Sequence, residues 1–229
     1  MINPRDRMEA LRSARAQVED YARGAPNLEI LVDDEEFPTE YELRFTQPSL
    51  APGPDPDAEP VPIAEHEVVI VLGASFPQTP PAVFWESPIF HPNIFPNYDS
   101  APSREQPEYR GLVCLGDLLG DFTPELDFGA LCQTIVDLAG FRGVGIVDVD
   151  DNGEPSANFY DKAAAVWFSR NAGRLADLIG AAAATLPGGP GRLWRGGGSY
   201  RNQVEPLGPE EPRVFRTLPS SRGVDFGGR

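Results

Sequence analysis

The chain is poor in the residues on which several common chemistries depend. Two cysteines and two histidines in 229 residues are too few for a dedicated zinc site unless carboxylates complete the shell. No metal or other cofactor is expected. Lysine is almost absent, with Lys162 the single one against 18 Arg. No apolar run approaches the ~20 residues needed to cross a bilayer, so no membrane partner is expected. The opening stretch MINPRDRMEALRSAR carries charges where a signal peptide needs an apolar core. A cytoplasmic, reducing location is expected, where cysteine stays free rather than bridged. Positive charge is also scarce. A net charge of −16 argues against a nucleic-acid partner, because a polyanion would be repelled.

What is present supports a folded core. Hydrophobic residues make up 41% of the chain, and its length suits one domain of about 150 residues with additions. The acidity is uneven. From Leu186 onward seven Arg face four Asp/Glu, which leaves 12 basic and 31 acidic residues before it. From Pro187 the chain holds ten Gly and six Pro, so residues 187–229 read as an irregular tail and residues 1–186 as the folded domain.

Within that domain, Met8, Leu11, Val18 and Tyr21 fall near helical spacing over residues 4–23, and Gly24 and Pro26 end the helix. Leu28–Val32, Tyr41–Phe45, His66–Leu72 and Ala82–Trp85 read as strands. Residues 46–64 carry six prolines and read as a solvated loop, since repeated prolines do not suit a sheet interior. Asp127 caps a helix running to Gly140, with Phe128, Leu131, Ile135 and Leu138 on one stripe. Ser156 caps another that carries Ala163, Ala164, Trp167 and Phe168, and a further helix runs from Ala172 to about Leu186. The expected class is α+β: an N-terminal helix, an antiparallel meander of about four strands, then helices.

The two cysteines differ in setting. Cys132 lies inside a predicted helix beside its apolar stripe, where cysteine acts as a small hydrophobe. Cys114 lies in Gly111-Leu112-Val113-Cys114-Leu115-Gly116-Asp117, between a long polar loop and a turn. Taken alone, that stretch fits a structural and a reactive thiol equally, since reactive cysteines favour loops and element ends.

The order of the motifs around Cys114 carries more. Phe76-Pro77-Gln78-Thr79-Pro80-Pro81 precedes the strand Ala82–Trp85. Pro88-Ile89-Phe90-His91-Pro92-Asn93-Ile94 follows it, then Cys114-Leu115, then Phe122-Thr123-Pro124 just before a helix. This series resembles the ubiquitin-conjugating (E2) enzymes, whose hallmarks are Tyr-Pro-x-x-Pro-Pro, a strand, His-Pro-Asn, a catalytic Cys-Leu and Trp-x-Pro. The resemblance covers about Asn3 to Leu178.

The resemblance implies the ubiquitin-conjugating fold and a transferase that carries a ubiquitin-like protein. Cys114 would accept the modifier's C-terminus as a thioester from an E1-like activating enzyme and pass it to an amine on a target protein. Asn93 matches the residue credited with stabilising the oxyanion or ordering the catalytic loop, and His91 matches one that mainly holds the turn together. A side-chain amide can satisfy an oxyanion without a charge of its own, and a thiolate is both nucleophile and good leaving group. Among Asp117, Asp148, Asp150, Asp151 and Glu154, none is singled out as the acid that assists the second transfer. The first helix docks the activating enzyme in this family, and Arg5, Arg7, Arg12 and Arg15 are the candidate face for it. The lack of lysine suits an enzyme that avoids modifying itself, although GC-rich codon usage accounts for it as well.

The sequence also departs from the family pattern. Twenty residues separate Asn93 from Cys114, and the insert 97–110 would hang beside the thiol. Phe76 and Phe122 stand for Tyr and Trp, each keeping an aromatic plug, and residues 46–64 lengthen a hairpin. With the acidic, arginine-for-lysine composition, these features resemble divergent bacterial members of ubiquitin-like conjugation systems, some of which act in antiphage defence. Two alternatives stand beside this reading. One is a catalytically silent E2 variant that only binds ubiquitin-like proteins; the other is a thiol hydrolase with His91 as base to Cys114.

Overall fold

The computed structural model describes residues 3–55, 58–99, 107–116, 123–142, 150, 155, 159–184 and 216–217. Helix α1, Pro4–Gly24, starts where Asn3 accepts a hydrogen bond from the Arg5 N–H (3.1 Å) and proline takes the first turn, the position that does not need its missing N–H. Leu11, Ala14 and Val18 are its buried stripe. Met8, expected on that stripe, is instead 42% exposed, one turn before the helix meets the core.

Strands β1 (Leu28–Val32), β2 (Glu40–Ala51), β3 (Val61–Val71) and β4 (Ala82–Trp85) form an antiparallel meander. A short β5, Arg216–Thr217, runs parallel to β1 and completes the order β4-β3-β2-β1-β5. Alternate residues point into the core, as the pleat requires. Tyr41, Leu43 and Phe45 do so from β2, Val68 and Ile70 from β3, and Val83 and Trp85 from β4, all buried, while Arg44 stays outside.

Three expectations need correction. The proline-rich stretch 46–64 is largely an extended hairpin, with Ser49, Leu50 and Ala51 paired to Ile63, Pro62 and Val61. Pro48 falls in the register shift between Thr46 and Ser49. Pro62 lies beyond the part of β3 that pairs with β4, so that stretch has one sheet neighbour. A bulge and one-sided pairing are the places where a sheet tolerates proline. The tail is not irregular throughout, since Arg216–Thr217 pairs with β1.

The third correction concerns the last helices. After α2 (Phe128–Ala139), residues Lys162–Ala184 form one continuous helix, α3. Its cap is Asp161, whose Oδ1 accepts from the Ala164 N–H (2.9 Å). Ser156, expected to cap it, lies outside the described residues. No proline interrupts Phe168–Ala172, so nothing divides the helix there. Helix α2 matches its expected bounds, with Asp127 accepting from the Ala130 N–H (3.0 Å) at the cap. Phe128, Leu131, Cys132, Ile135 and Leu138 are buried against α1 and β2, and α3 packs on β2 and β3.

This is the α+β arrangement of the ubiquitin-conjugating fold: a helix, an antiparallel meander, then helices. Phe76, the first aromatic plug, is buried and meets Phe128 edge-on at 5.9 Å; the second, Phe122, lies outside the described residues. Among the described residues no helix is long and apolar enough to cross a membrane.

The core also encloses a histidine. His66 lies between Phe45 and Trp85, with ring centroids 5.2 and 5.3 Å away, and its Nε2 is 2.8 Å from the Gln47 carbonyl. Burial pushes its pKa from the ordinary 6.5 down to about 4, with the Gln47 carbonyl pulling the other way. In the unfolded chain His66 takes up a proton below pH 6.5; in the folded chain it resists until about 4. Its contribution to stability is therefore complete above pH 6.5 and declines as pH falls through that window, by about 1.4 kcal/mol per unit. Replacing His66 with Phe should flatten the acid limb of stability by about that slope, measured by urea unfolding between pH 7 and 4.5.

Candidate active site around Cys114

Cys114 ends a short strip laid along the free edge of β4. Leu112 bridges to Phe84 and Val113 to Ile94, and the Val113 N–H donates to the Val83 carbonyl (2.9 Å). On its other side the strip meets the Pro92–Phe95 turn. The Cys114 N–H donates to the Asn93 carbonyl (2.7 Å), the Phe95 N–H to Leu112 (2.8 Å), and the Gly111 N–H to Phe95 (3.0 Å). Two residues that lie 21 positions apart in sequence thus become hydrogen-bonded neighbours. Both are half-buried, so solvent reaches them.

Gly111 makes this close packing possible. It has φ +77°, and a Cβ there would collide with the Trp85 carbonyl. The Gly111 carbonyl in turn accepts from the Trp85 N–H (2.7 Å).

His91 anchors the turn from below. It is fully buried, and its Nδ1 accepts the Asn93 N–H (3.1 Å), which assigns the ring proton to Nε2. Burial pushes its pKa down to about 3, with the Leu138 carbonyl pulling the other way. The ring lies 4.8 Å from that of Phe141, which stacks on Phe168 at 5.8 Å. Phe141 has φ +56° in the position after the α2 cap that glycine usually fills. Its N–H donates to Leu138 (2.9 Å) and that of Arg142 to Asp137 (2.8 Å), the bond pair of a Schellman motif. Left-handed backbone costs about 1–2 kcal/mol for a side chain other than glycine, and the ring contacts on His91 and Phe168 offset it.

The start of α3 is fixed to the same turn. The N–H groups of Tyr160 and Asp161 both donate to the Pro92 carbonyl (3.0 and 3.1 Å). Asp161 is buried and accepts from the Tyr98 hydroxyl (2.7 Å). Burial raises its pKa against the opposing pull of the Ala164 N–H and Tyr98 bonds. The insert 97–110 is therefore anchored at its base rather than simply hanging. Asn97 is buried, donating to the Trp85 and Ser87 carbonyls (2.8 and 2.7 Å) and accepting from the Ile89 N–H (3.1 Å). Arg110 closes the loop by donating to the Asn97 carbonyl (2.6 Å).

Three aromatic rings missed by the sequence reading border this centre. Phe95 lies 5.9 Å from Tyr109 and 6.3 Å from Tyr160, and both tyrosines are exposed. Partial burial and then the neighbouring Cys114 raise the pKa of Tyr160. The available signal was two tyrosines in otherwise polar loop sequence. Cys132, by contrast, is buried, and burial pushes its thiol up to about 12. Of the loop acids, Asp150 is exposed, and Asp117, Asp148, Asp151 and Glu154 lie outside the described residues. The candidate arginine face of α1 is mostly committed elsewhere. Arg12 pairs with Glu36 (2.8 Å) and covers Phe37, Arg15 pairs with Glu19 (2.7 Å), and Arg7 donates to the Gly73 and Ala74 carbonyls.

No protein-family model matches the chain. Two curated proteins are similar over part of it. Ubiquitin-conjugating enzyme E2 S of Branchiostoma floridae is 28% identical over 99 residues, 43% of this chain and 39% of that protein. Ubiquitin-conjugating enzyme E2 S of Drosophila willistoni is 31% identical over 80 residues, 35% of this chain and 32% of that protein. The chain is similar to ubiquitin-conjugating enzymes. The aligned stretches span 32% to 39% of the length of these relatives.

Gly111→Ala should cost at least about 2 kcal/mol, left-handed strain plus a backbone collision, read as a lower urea midpoint.

Proposed function

We propose that the chain is a ubiquitin-conjugating-type transferase with Cys114 as its nucleophile. The observation that supports this reading is the 2.7 Å bond from the Cys114 N–H to the Asn93 carbonyl, which makes backbone neighbours of the two half-buried residues that match the family's nucleophile and oxyanion donor. In the first transfer the Cys114 thiolate attacks the thioester carbonyl of a modifier carried by an E1-like activating enzyme. The enzyme's own thiolate leaves, and the modifier is now a thioester on Cys114. In the second, an amine nitrogen on a target attacks that carbonyl and the C–S bond breaks. The amine gives up its proton, and Cys114 departs as thiolate. Each step passes through an oxyanion, which the Asn93 amide stabilises by hydrogen bonding. His91 acts through Asn93, holding its backbone in place.

The proposal takes residues 1–186 as the catalytic unit and 187–229 as an appended tail, working in the cytoplasm. The departures from the family pattern favour a bacterial conjugation pathway, of the kind some of whose members act in antiphage defence. The hydrolase alternative suffers from the burial of His91, whose Nδ1 is occupied by the Asn93 N–H and is not free to act as base to the thiol.

The test is charging with a candidate modifier, its activating enzyme and ATP, resolved on gels with and without reductant. A reductant-sensitive adduct is expected, lost in Cys114→Ala and retained in Cys132→Ala. Asn93→Ala should slow transfer by about a hundredfold, the usual effect of removing one oxyanion donor. No adduct with a demonstrably charged activating enzyme would favour the silent binding module.

A further inference from the structure

The sheet has a second face, and its middle row is covered. Cross-strand partners share a face, so Leu31, Glu42, Val69 and Phe84, each paired with the next, form one row from β1 to β4. The residues on either side of that row in each strand, Ile30 and Val32, Tyr41 and Leu43, Val68 and Ile70, belong to the hydrophobic core. The row therefore points away from the core. Leu31, Glu42 and Val69 are nonetheless only 8%, 6% and 6% exposed. Among the described residues the helices lie on the other face. Helices α1 and α2 share the core cluster, and α3 stacks Phe168 on Phe141 just past the end of α2. A leucine on the border strand and a carboxylate beside it, both buried with no helix over them, require another cover.

One segment already reaches this row. β5 pairs with β1 in register, Leu31 with Arg216 and Val32 with Thr217, so Arg216 extends the row at its open end. Charge favours the same occupant. Glu29 and Glu67 flank the row on either side of Arg44, and the exposed acidic turn Asp33–Glu36 follows β1. The cations nearby, Arg12, Arg15 and Arg44, are paired with Glu36, Glu19 and Glu42. The chain up to residue 185 holds 31 acidic and 12 basic residues, whereas from Leu186 onward seven Arg face four Asp/Glu. The excess of positive charge thus lies in the tail, and the tail supplies β5. Between Ala184, where α3 ends, and Arg216 run residues 185–215, long enough to cross a sheet whose strands lie about 5 Å apart.

We propose that the outer face of the sheet at β1 is a docking surface for the chain's own C-terminal tail, bound in cis by the β5 pairing and by the tail's positive charge. Strand pairing supplies backbone hydrogen bonds and a register. The acidic surroundings supply the preference for an arginine-bearing segment over other extended chains. The surface lies at the border of the sheet opposite β4 and the strip that ends in Cys114, so it stands apart from the conjugating reading and does not depend on it.

The experiment is disulfide trapping in the full-length chain, with Cys114 and Cys132 replaced by Ala and oxidised glutathione as oxidant. Neighbouring strands hold paired Cα atoms about 5 Å apart, within disulfide reach, whereas a partner two residues along lies about 8 Å away and beyond it. Leu31→Cys with Arg216→Cys should close an intramolecular disulfide at least about tenfold faster than Glu29→Cys with Arg216→Cys. Raising the salt to about 1 M should slow that closure about threefold, as screening of a few surface charges does. Equal rates for the two pairs, or no disulfide in either, overturn the docking surface. Covalent dimers in place of the intramolecular product overturn occupancy in cis and assign the face to the tail of a second copy. Amide hydrogen exchange keeps the test independent of how the cysteine variants fold. Arg216→Glu should speed exchange across residues 28–32 about threefold and leave α2 unchanged; no change at β1 overturns the proposal.

Discussion

The Pro92–Phe95 turn carries backbone hydrogen bonds to two separate parts of the chain. Its Pro92 carbonyl takes the first residues leading into α3, its Asn93 carbonyl takes Cys114, and Phe95 takes both ends of the Gly111–Leu112 step. A turn with so many neighbours cannot shift without moving the thiol, and a buried histidine fixes it from the core side. The left-handed Phe141 belongs to the same arrangement. Its unfavourable backbone is kept because the ring it presents lies between His91 and Phe168.

Much of this was legible in the sequence, for identifiable reasons. The bounds of β1 and β4 follow from short runs of apolar residues closed off by polar and proline-containing stretches. Asp127 and Gly140 mark the ends of α2 because capping depends on local residue type. The adjacency of Asn93 and Cys114 could be anticipated only through the order of motifs, since nothing local in either segment points to the other. What escaped was decided by tertiary context. Pro48 and Pro62 argue against strands until a bulge and a one-sided pairing make room for them. Asp161 becomes the cap of α3 through partners on Pro92 and Tyr98, both far away in sequence. The aromatic border of the thiol is likewise gathered from three distant segments.

Buried polar groups recur wherever the chain must hold an irregular segment. Asn97 satisfies three backbone groups that no strand reaches, and Asp161 joins the insert to a helix. In a region with little regular secondary structure, such side chains take over the role of a backbone ladder. Their removal would leave buried carbonyls and amides with nothing to bond, which costs more than the bonds themselves contribute.

The sheet's two borders have a consequence beyond the chemistry. β1 would be an open border strand, yet Arg216–Thr217 lies alongside it; β4 would be the other, yet Leu112 and Val113 lie alongside that one. Unpaired border strands are templates on which other chains can assemble into aggregates. Here the strip that presents the nucleophile doubles as a guard on one side and a piece of the tail guards the other, so self-association by strand addition is discouraged at both.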